Sequence, residues 1–226
     1  MIAVTNCEEK SQKKFRSKIK PYLNSSSRKC VKLRSVRPEG KSKPTTELGD
    51  VDDTPLGDVN YLLNADLMLA VSHAIEDMAS EVKDGELLST FQDLGNFEPQ
   101  RKRYRELSQN LSSVRVVGCG EPPKRCGKTE FVRFCSDDLA RYWVVSLASD
   151  CSHAALVCQQ VNKTDQFKEK LFVGFYTFNP FFVRSIHRHF SLMMVGLGKV
   201  IKNWQIEMNL PVLTQKELKK YLKDSQ

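Results

Sequence analysis

Three apolar runs of strand length, Trp143–Leu147, Ala154–Val161 and Leu171–Phe178, follow one another with few residues between them. The breaks hold turn formers, Ser149-Asp150 and Lys163-Thr164-Asp165, and are short enough for antiparallel hairpins. A chain that makes such a series must build a sheet and then cover it.

The flanking sequence supplies the cover. Leu67, Val71, Ala74, Ile75, Met78 and Val82 recur at three- and four-residue spacing and predict an amphipathic helix over 66–82, ended by Asp84-Gly85. Leu87 to Phe91 is a short strand. Pro99 opens a charged helix, PQRKRYRELSQNL. Val114 to Gly118 reads as a strand and Phe131 to Phe134 as a shorter one. Asn179 caps a helix from Pro180 to Leu197, with Phe182, Ile186, Phe190, Met193 and Leu197 on its apolar stripe. Thr214-Gln215-Lys216-Glu217 is a capping box for a last basic helix, to Lys223. The order predicts an α+β fold: a single, mainly antiparallel sheet flanked by helices. It excludes a repeating βαβ nucleotide fold.

Charge divides the chain. Residues 1–44 carry 13 Lys/Arg against Glu8, Glu9 and Glu39, whereas residues 45–65 carry only the acids Glu47, Asp50, Asp52, Asp53 and Asp58. The remainder holds 22 Lys/Arg and 19 Asp/Glu, so the net charge of +8 describes the leader and not the folded part. Residues 1–60 show no sustained periodicity and are rich in Ser, Lys, Arg, Pro and Gly. They are expected to be a disordered, basic N-terminal tail followed by an acidic linker. The stretch SSSRKCVKLRSVRP fits an organelle transit peptide and its maturation region, whereas Glu8 and Glu9 argue against one, since such peptides are acid-poor; the rival is a flexible basic tail that touches nucleic acid or a partner. The expected organisation is therefore a leader at 1–60, one domain at 61–213 and a short helix at 214–226. No apolar run approaches the ~20 residues that span a bilayer.

Gly118 to Thr129, GCGEPPKRCGKT, imitates a phosphate-binding loop. The spacing rejects it. Pro122 stands where the first glycine belongs, Pro122 and Pro123 remove N–H donors, and Phe131-Val132-Arg133-Phe134 follows where a helix must start. An exposed loop between strands is the expectation. Seven cysteines without a secretory apolar segment predict free thiols. The C-x6-C spacings of Cys119/Cys126 and Cys151/Cys158 do not match zinc knuckles, and His187 and His189 point to different helix faces, so no metal is expected. No G-x-S-x-G or H-E-x-x-H is present, which weakens enzyme readings. The run Arg101–Arg105 spreads its cations round a helix, with Tyr104 and Leu107 as the anchoring side.

A series of short motifs carries a resemblance. Ser72-His73-Ala74-Ile75-Glu76, Phe91-Gln92, Arg103-Tyr104-Arg105-Glu106-Leu107, Val116-Val117-Gly118, Trp143-Val144-Val145, Ala155-Leu156-Val157 and Gly174-Phe175-Tyr176-Thr177-Phe178-Asn179-Pro180 stand in order between Leu67 and Ile186. The chain resembles the DICT sensory domain, a signal-input module found attached to diguanylate cyclases, two-component histidine kinases and some bacterial transcription regulators. The resemblance implies a non-enzymatic module that binds a small ligand or a signalling protein, with no cofactor specified. These residues include no kinase, cyclase or DNA-binding segment, so output is expected through a partner chain. A domain of this type behind a Ser/Arg-rich leader looks like a protein of cyanobacterial descent sent to a plastid.

The expected ligand-binding residues are Ser72, Glu76, Gln92, Arg103, Tyr104, Trp143, Thr177 and His189. Ser72 and Glu76 stack one turn apart, on the side away from the helix's apolar stripe. Arg103 either pairs with Glu76 or grips an anionic ligand. Gln92, Tyr104 and Trp143 offer an amide, a phenol and an indole. His189 lies on the apolar stripe of its helix, as a core histidine or a pocket residue. Against this stands a packing role, in which Phe91, Tyr104, Trp143 and Phe178 fill the core. The rival function is a nucleic-acid-associated protein using the basic tail and the Arg101–Arg105 helix, which steep salt dependence would reveal.

Overall fold

A computed structural model describes residues 2–24, 30–34, 59–134, 139–164 and 166–194. In chain order the elements are α1 (Ile2–Asn24), β1 (Cys30–Arg34), β2 (Val59–Asn64), α2 (Ala65–Ser80), β3 (Glu86–Asp93), α3 (Arg101–Asn110), β4 (Ser113–Cys119), β5 (Glu130–Arg133), β6 (Tyr142–Ala148), β7 (His153–Gln160), β8 (Leu171–Thr177) and α4 (Pro180–Met194). The strands form one sheet in the order β1-β2-β8-β7-β6-β3-β4-β5. β6, β7 and β8 pair antiparallel as their short turns require, and β3, β2 and β1 extend the same pattern at either side. Among the described residues only β3–β4 and β4–β5 run parallel. The fold is α+β on a mainly antiparallel sheet.

Alternation along the strands separates two cores. On one face Leu87, Val145, Leu147, Leu156, Cys158 and Phe172 pack with Leu67, Val71, Ile75 and Met78 of α2 and with Tyr104 and Leu107 of α3. On the other, Val144, Val157 and Phe175 pack with Val183, Ile186 and Phe190 of α4. β7 is buried along nearly its whole length because both faces are covered. Asn64 caps α2 by accepting a hydrogen bond from the Leu67 amide at 3.0 Å.

The leader differs from its sequence reading. Residues 2–24 form α1, and β1 adds an edge strand to β2. Phe15 and Ile19 are buried, with Phe15 edge-on to Phe178 at 5.0 Å and tilted against Tyr176 at 5.5 Å. Lys14 pairs with Glu81 and Lys18 with Asp77. Apolar residues scattered among lysines hid this stripe, since its core is supplied by α2 and β8 and not by neighbours in sequence. Pro99 also lies in a 3-10 turn, Leu94–Gln100, with α3 starting after it. The expected end of α4 at Leu197 and the helix over 214–223 lie outside the described residues.

The loop after β4 behaves as its prolines dictate. It runs to β5, and the Thr129 amide bonds back to the Cys126 carbonyl at 3.0 Å in a turn through Gly127, where φ is +57°. No helix begins there. Cys119, Cys126, Cys151 and Cys158 are free thiols. Among the described residues no three His, Cys, Asp or Glu side chains gather as a metal site, and no helix is long and apolar enough to cross a membrane.

Candidate functional site

β3 and β6 pair only from Glu86↔Ala148 to Ser89↔Val145. Beyond that register a side chain takes over from the backbone. Thr90 Oγ1 accepts from the Val144 amide at 2.8 Å and donates to the Tyr142 carbonyl at 3.1 Å. A register shift follows in β3 between Phe91 and Asp93. On the α2 side of the sheet, beside this departure, lies a cavity of about 330 Å³, near the lower bound for small-molecule sites.

The floor is polar and closed. Tyr104 Oη lies 2.9 Å from Glu76 Oε1 and 2.7 Å from Ser89 Oγ, and all three side chains are buried. Glu76 Oε2 meets Arg103 Nε at 2.5 Å, and Arg103 also reaches Asp77 and the His73 carbonyl. Burial raises the Glu76 carboxyl above its ordinary range, with the Arg103 charge and the Tyr104 hydrogen bond opposing it. Burial and the Glu76 charge lift the Tyr104 phenol far above its usual value, so it stays a neutral donor. Burial, then the Arg103 charge, lowers His73, against a hydrogen bond with Gln100.

The walls are aromatic and aliphatic: Leu69, Phe91, Trp143, Val145 and Phe167. Trp143 donates its indole N–H to Ser72 Oγ at 2.9 Å, and Ser72 in turn donates to the Met68 carbonyl. Phe172 meets the Trp143 ring edge-on at 5.5 Å, fixing it from behind. Gln92, Asn96, Gln100 and Lys170 supply further polar lining. The Lys170 ammonium donates to Gln92 Oε1 at 2.7 Å, and Gln92 Nε2 to Gln160 Oε1 at 2.8 Å.

Five of the residues singled out in the sequence, Ser72, Glu76, Gln92, Tyr104 and Trp143, thus line one cavity. Arg103 stands behind it as the partner of Glu76. Thr177 and His189 do not join them. Thr177 shares the sheet face of Phe175 and accepts from the Asn179 amide at 2.9 Å, ordering the entry to α4. His189 is buried on α4, across the sheet. Period-two alternation from Phe175 could have told the side of Thr177. Ser89, Thr90, Asn96, Phe167 and Lys170 went unseen, since each is ordinary in type and is placed by a splayed strand pair or a loop.

The fold is an α+β domain with a cavity of mixed polarity on the α2 side of its sheet. Residues 52–161 match the family model DICT, described as the sensory domain in diguanylate cyclases and two-component systems, and this segment of the chain belongs to that family. The match takes in every lining residue except Phe167 and Lys170. No curated protein and no solved structure matches the chain.

Proposed function

We propose that the chain is a non-catalytic signal-input module that binds a small ligand in the cavity between α2, β3 and β6. The observation that carries this reading is the meeting of Ser72, Glu76, Gln92, Tyr104 and Trp143 in one cavity inside a sensory-domain segment. A rigid ring wall, a charged floor held by Arg103 and a rim of amides suit recognition, because polar contacts orient a ligand while apolar walls hold it. The floor groups are committed to one another, which fits binding better than proton transfer. Ligand identity is to pass to a partner chain as a change at the α2–α3 surface.

The nucleic-acid reading is weaker on specific grounds. Arg101 is held by Glu98 and by the Lys124 and Arg125 carbonyls, and Arg103 by Glu76 and Asp77, which takes two cations of that run out of phosphate binding. A plastid location rests on the basic, Ser-rich leader, and a fluorescent fusion that stays cytosolic would sink it.

Native mass spectrometry of the freshly purified full chain is the test. A stoichiometric extra mass, lost on denaturation and absent from Trp143→Ala, is expected. A bare mass together with stable capture of a partner protein through the α2–α3 surface would replace ligand sensing with protein recognition.

A further inference from the structure

We infer that the cavity takes a small aromatic carboxylate, its anionic head on Lys170 and its ring against Trp143 and Phe167; this rests on the ligand-binding reading above. Lys170 is half-buried at the cavity, yet its hydrogen-bond partner there is a neutral amide oxygen, Gln92 Oε1. Among the described residues no carboxylate pairs with it. An ammonium has three donors, so two are left to point elsewhere. The nearby amides are oriented to keep it so. Gln160 Nε2 is spent on the Asn162 carbonyl, its Oε1 takes Gln92 Nε2, and the Gln92 carbonyl is thereby turned to Lys170.

The floor decides which end of a ligand goes where. Glu76 is the carboxyl group on the cavity surface, already paired to Arg103, and a second anion beside it would be repelled. An anionic head therefore belongs at Lys170. The body then meets Leu69, Phe91, Trp143 and Phe167, where the Trp143 and Phe167 rings, with centroids 6.3 Å apart and tilted at 47°, form one aromatic wall against which a flat group can lie. About 330 Å³ corresponds to roughly ten waters at their liquid volume, room for one or two fused rings and a short acid arm. Phe167, 44% exposed, is the solvent-facing lip of this wall. Lys170 and Phe167 are the two lining residues beyond the family match.

Calorimetric titration of the full chain with indole-3-acetate and benzoate, against tryptamine and benzamide, tests the assignment. The two carboxylates are expected to bind and the amine and amide to bind at least tenfold more weakly. Lys170→Met should erase that preference, Lys170→Arg should keep it, and Leu69→Trp should block all binding by filling the cavity. Equal or tighter binding of tryptamine or benzamide, or a preference unchanged in Lys170→Met, overturns the carboxylate assignment and leaves ligand sensing standing. No heat with any probe, beside an extra mass in the native spectrum, overturns it in the same way. No heat and a bare mass overturn both readings.

Discussion

The phenol of Tyr104 sits 2.9 Å from Glu76 Oε1, which ties α3 to α2 through a buried polar contact. Ser89 of β3 completes the chain at 2.7 Å. Tyr104→Phe keeps the ring and its edge-on contacts with Phe91 and Phe97 but strands both neighbours. A buried group left without its partner costs about 1–3 kcal/mol. Urea denaturation should show a loss of that size, with the slope of the transition unchanged.

Glu76 makes stability depend on pH in an unusual direction for a carboxyl group. Its folded pKa is raised above the ordinary 4.5, so between that value and its folded pKa the native chain binds more protons than the unfolded one. Stability contributed by this group is greatest below the window and falls as pH rises through it. Glu76→Gln should remove that slope, visible as a flatter profile of denaturation midpoint against pH. Removing the opposing charge with Arg103→Leu should raise the Glu76 pKa further and extend the slope to higher pH.

Burial lowers His187 on α4 below 6.5, against Glu86 at 3.5 Å and the Ser146 backbone. A base with a depressed folded pKa has the opposite sign: the unfolded chain binds the extra proton, so stability is lost on acidification below about 6.5. His187→Gln should abolish that acid-side loss while leaving the Glu76 slope in place. The two variants separate contributions of opposite sign in the parent.

What could be read from the sequence was whatever repeats at a fixed period. The strands β6 to β8 and helices α2 and α4 announced themselves through alternation or an apolar stripe, and Pro122 was enough to refuse the phosphate loop. The cavity was half legible: Ser72 and Glu76 lie one turn apart, and helical geometry puts such a pair on one side whatever they face. Their burial was not legible, because a serine and a glutamate beside an apolar stripe look solvated until Trp143 and Arg103 arrive from 71 and 27 residues away. Lys170 was hidden for the same reason. The parallel β3–β4–β5 edge also escaped, since pairing partners are chosen by the whole sheet and not by the strand.

Helix α1 offers a direct check on the leader. Phe15 is 1% exposed and wedged between Tyr176 and Phe178. Phe15→Ala should cost about 3–5 kcal/mol, the range for truncating a buried phenyl ring. A disordered tail would give a change within about 0.5 kcal/mol, as at an unconstrained surface position. Thermal or urea denaturation of the full chain distinguishes the two without ambiguity.

Gly174 has the least room for a side chain of the described glycines, where β8 pairs with β7. It sits opposite Cys158 on one side and Tyr61 on the other. A Cβ at this position would stand 2.0 Å from the Val157 carbonyl oxygen, 2.6 Å from Cys158 Cα and 2.7 Å from Cys158 Sγ. The first two are backbone atoms of a strand paired on both edges, so neither can step aside without parting β7 from β6 or β8. Gly174→Ala should therefore destabilise by more than about 4 kcal/mol, at the extreme of single substitutions. If the thiol alone were the obstacle, adding Cys158→Ala would restore stability. The carbonyl and Cα remain in that double variant, so it should stay at least as unstable as Gly174→Ala alone, measured by the denaturation midpoint of whatever folds.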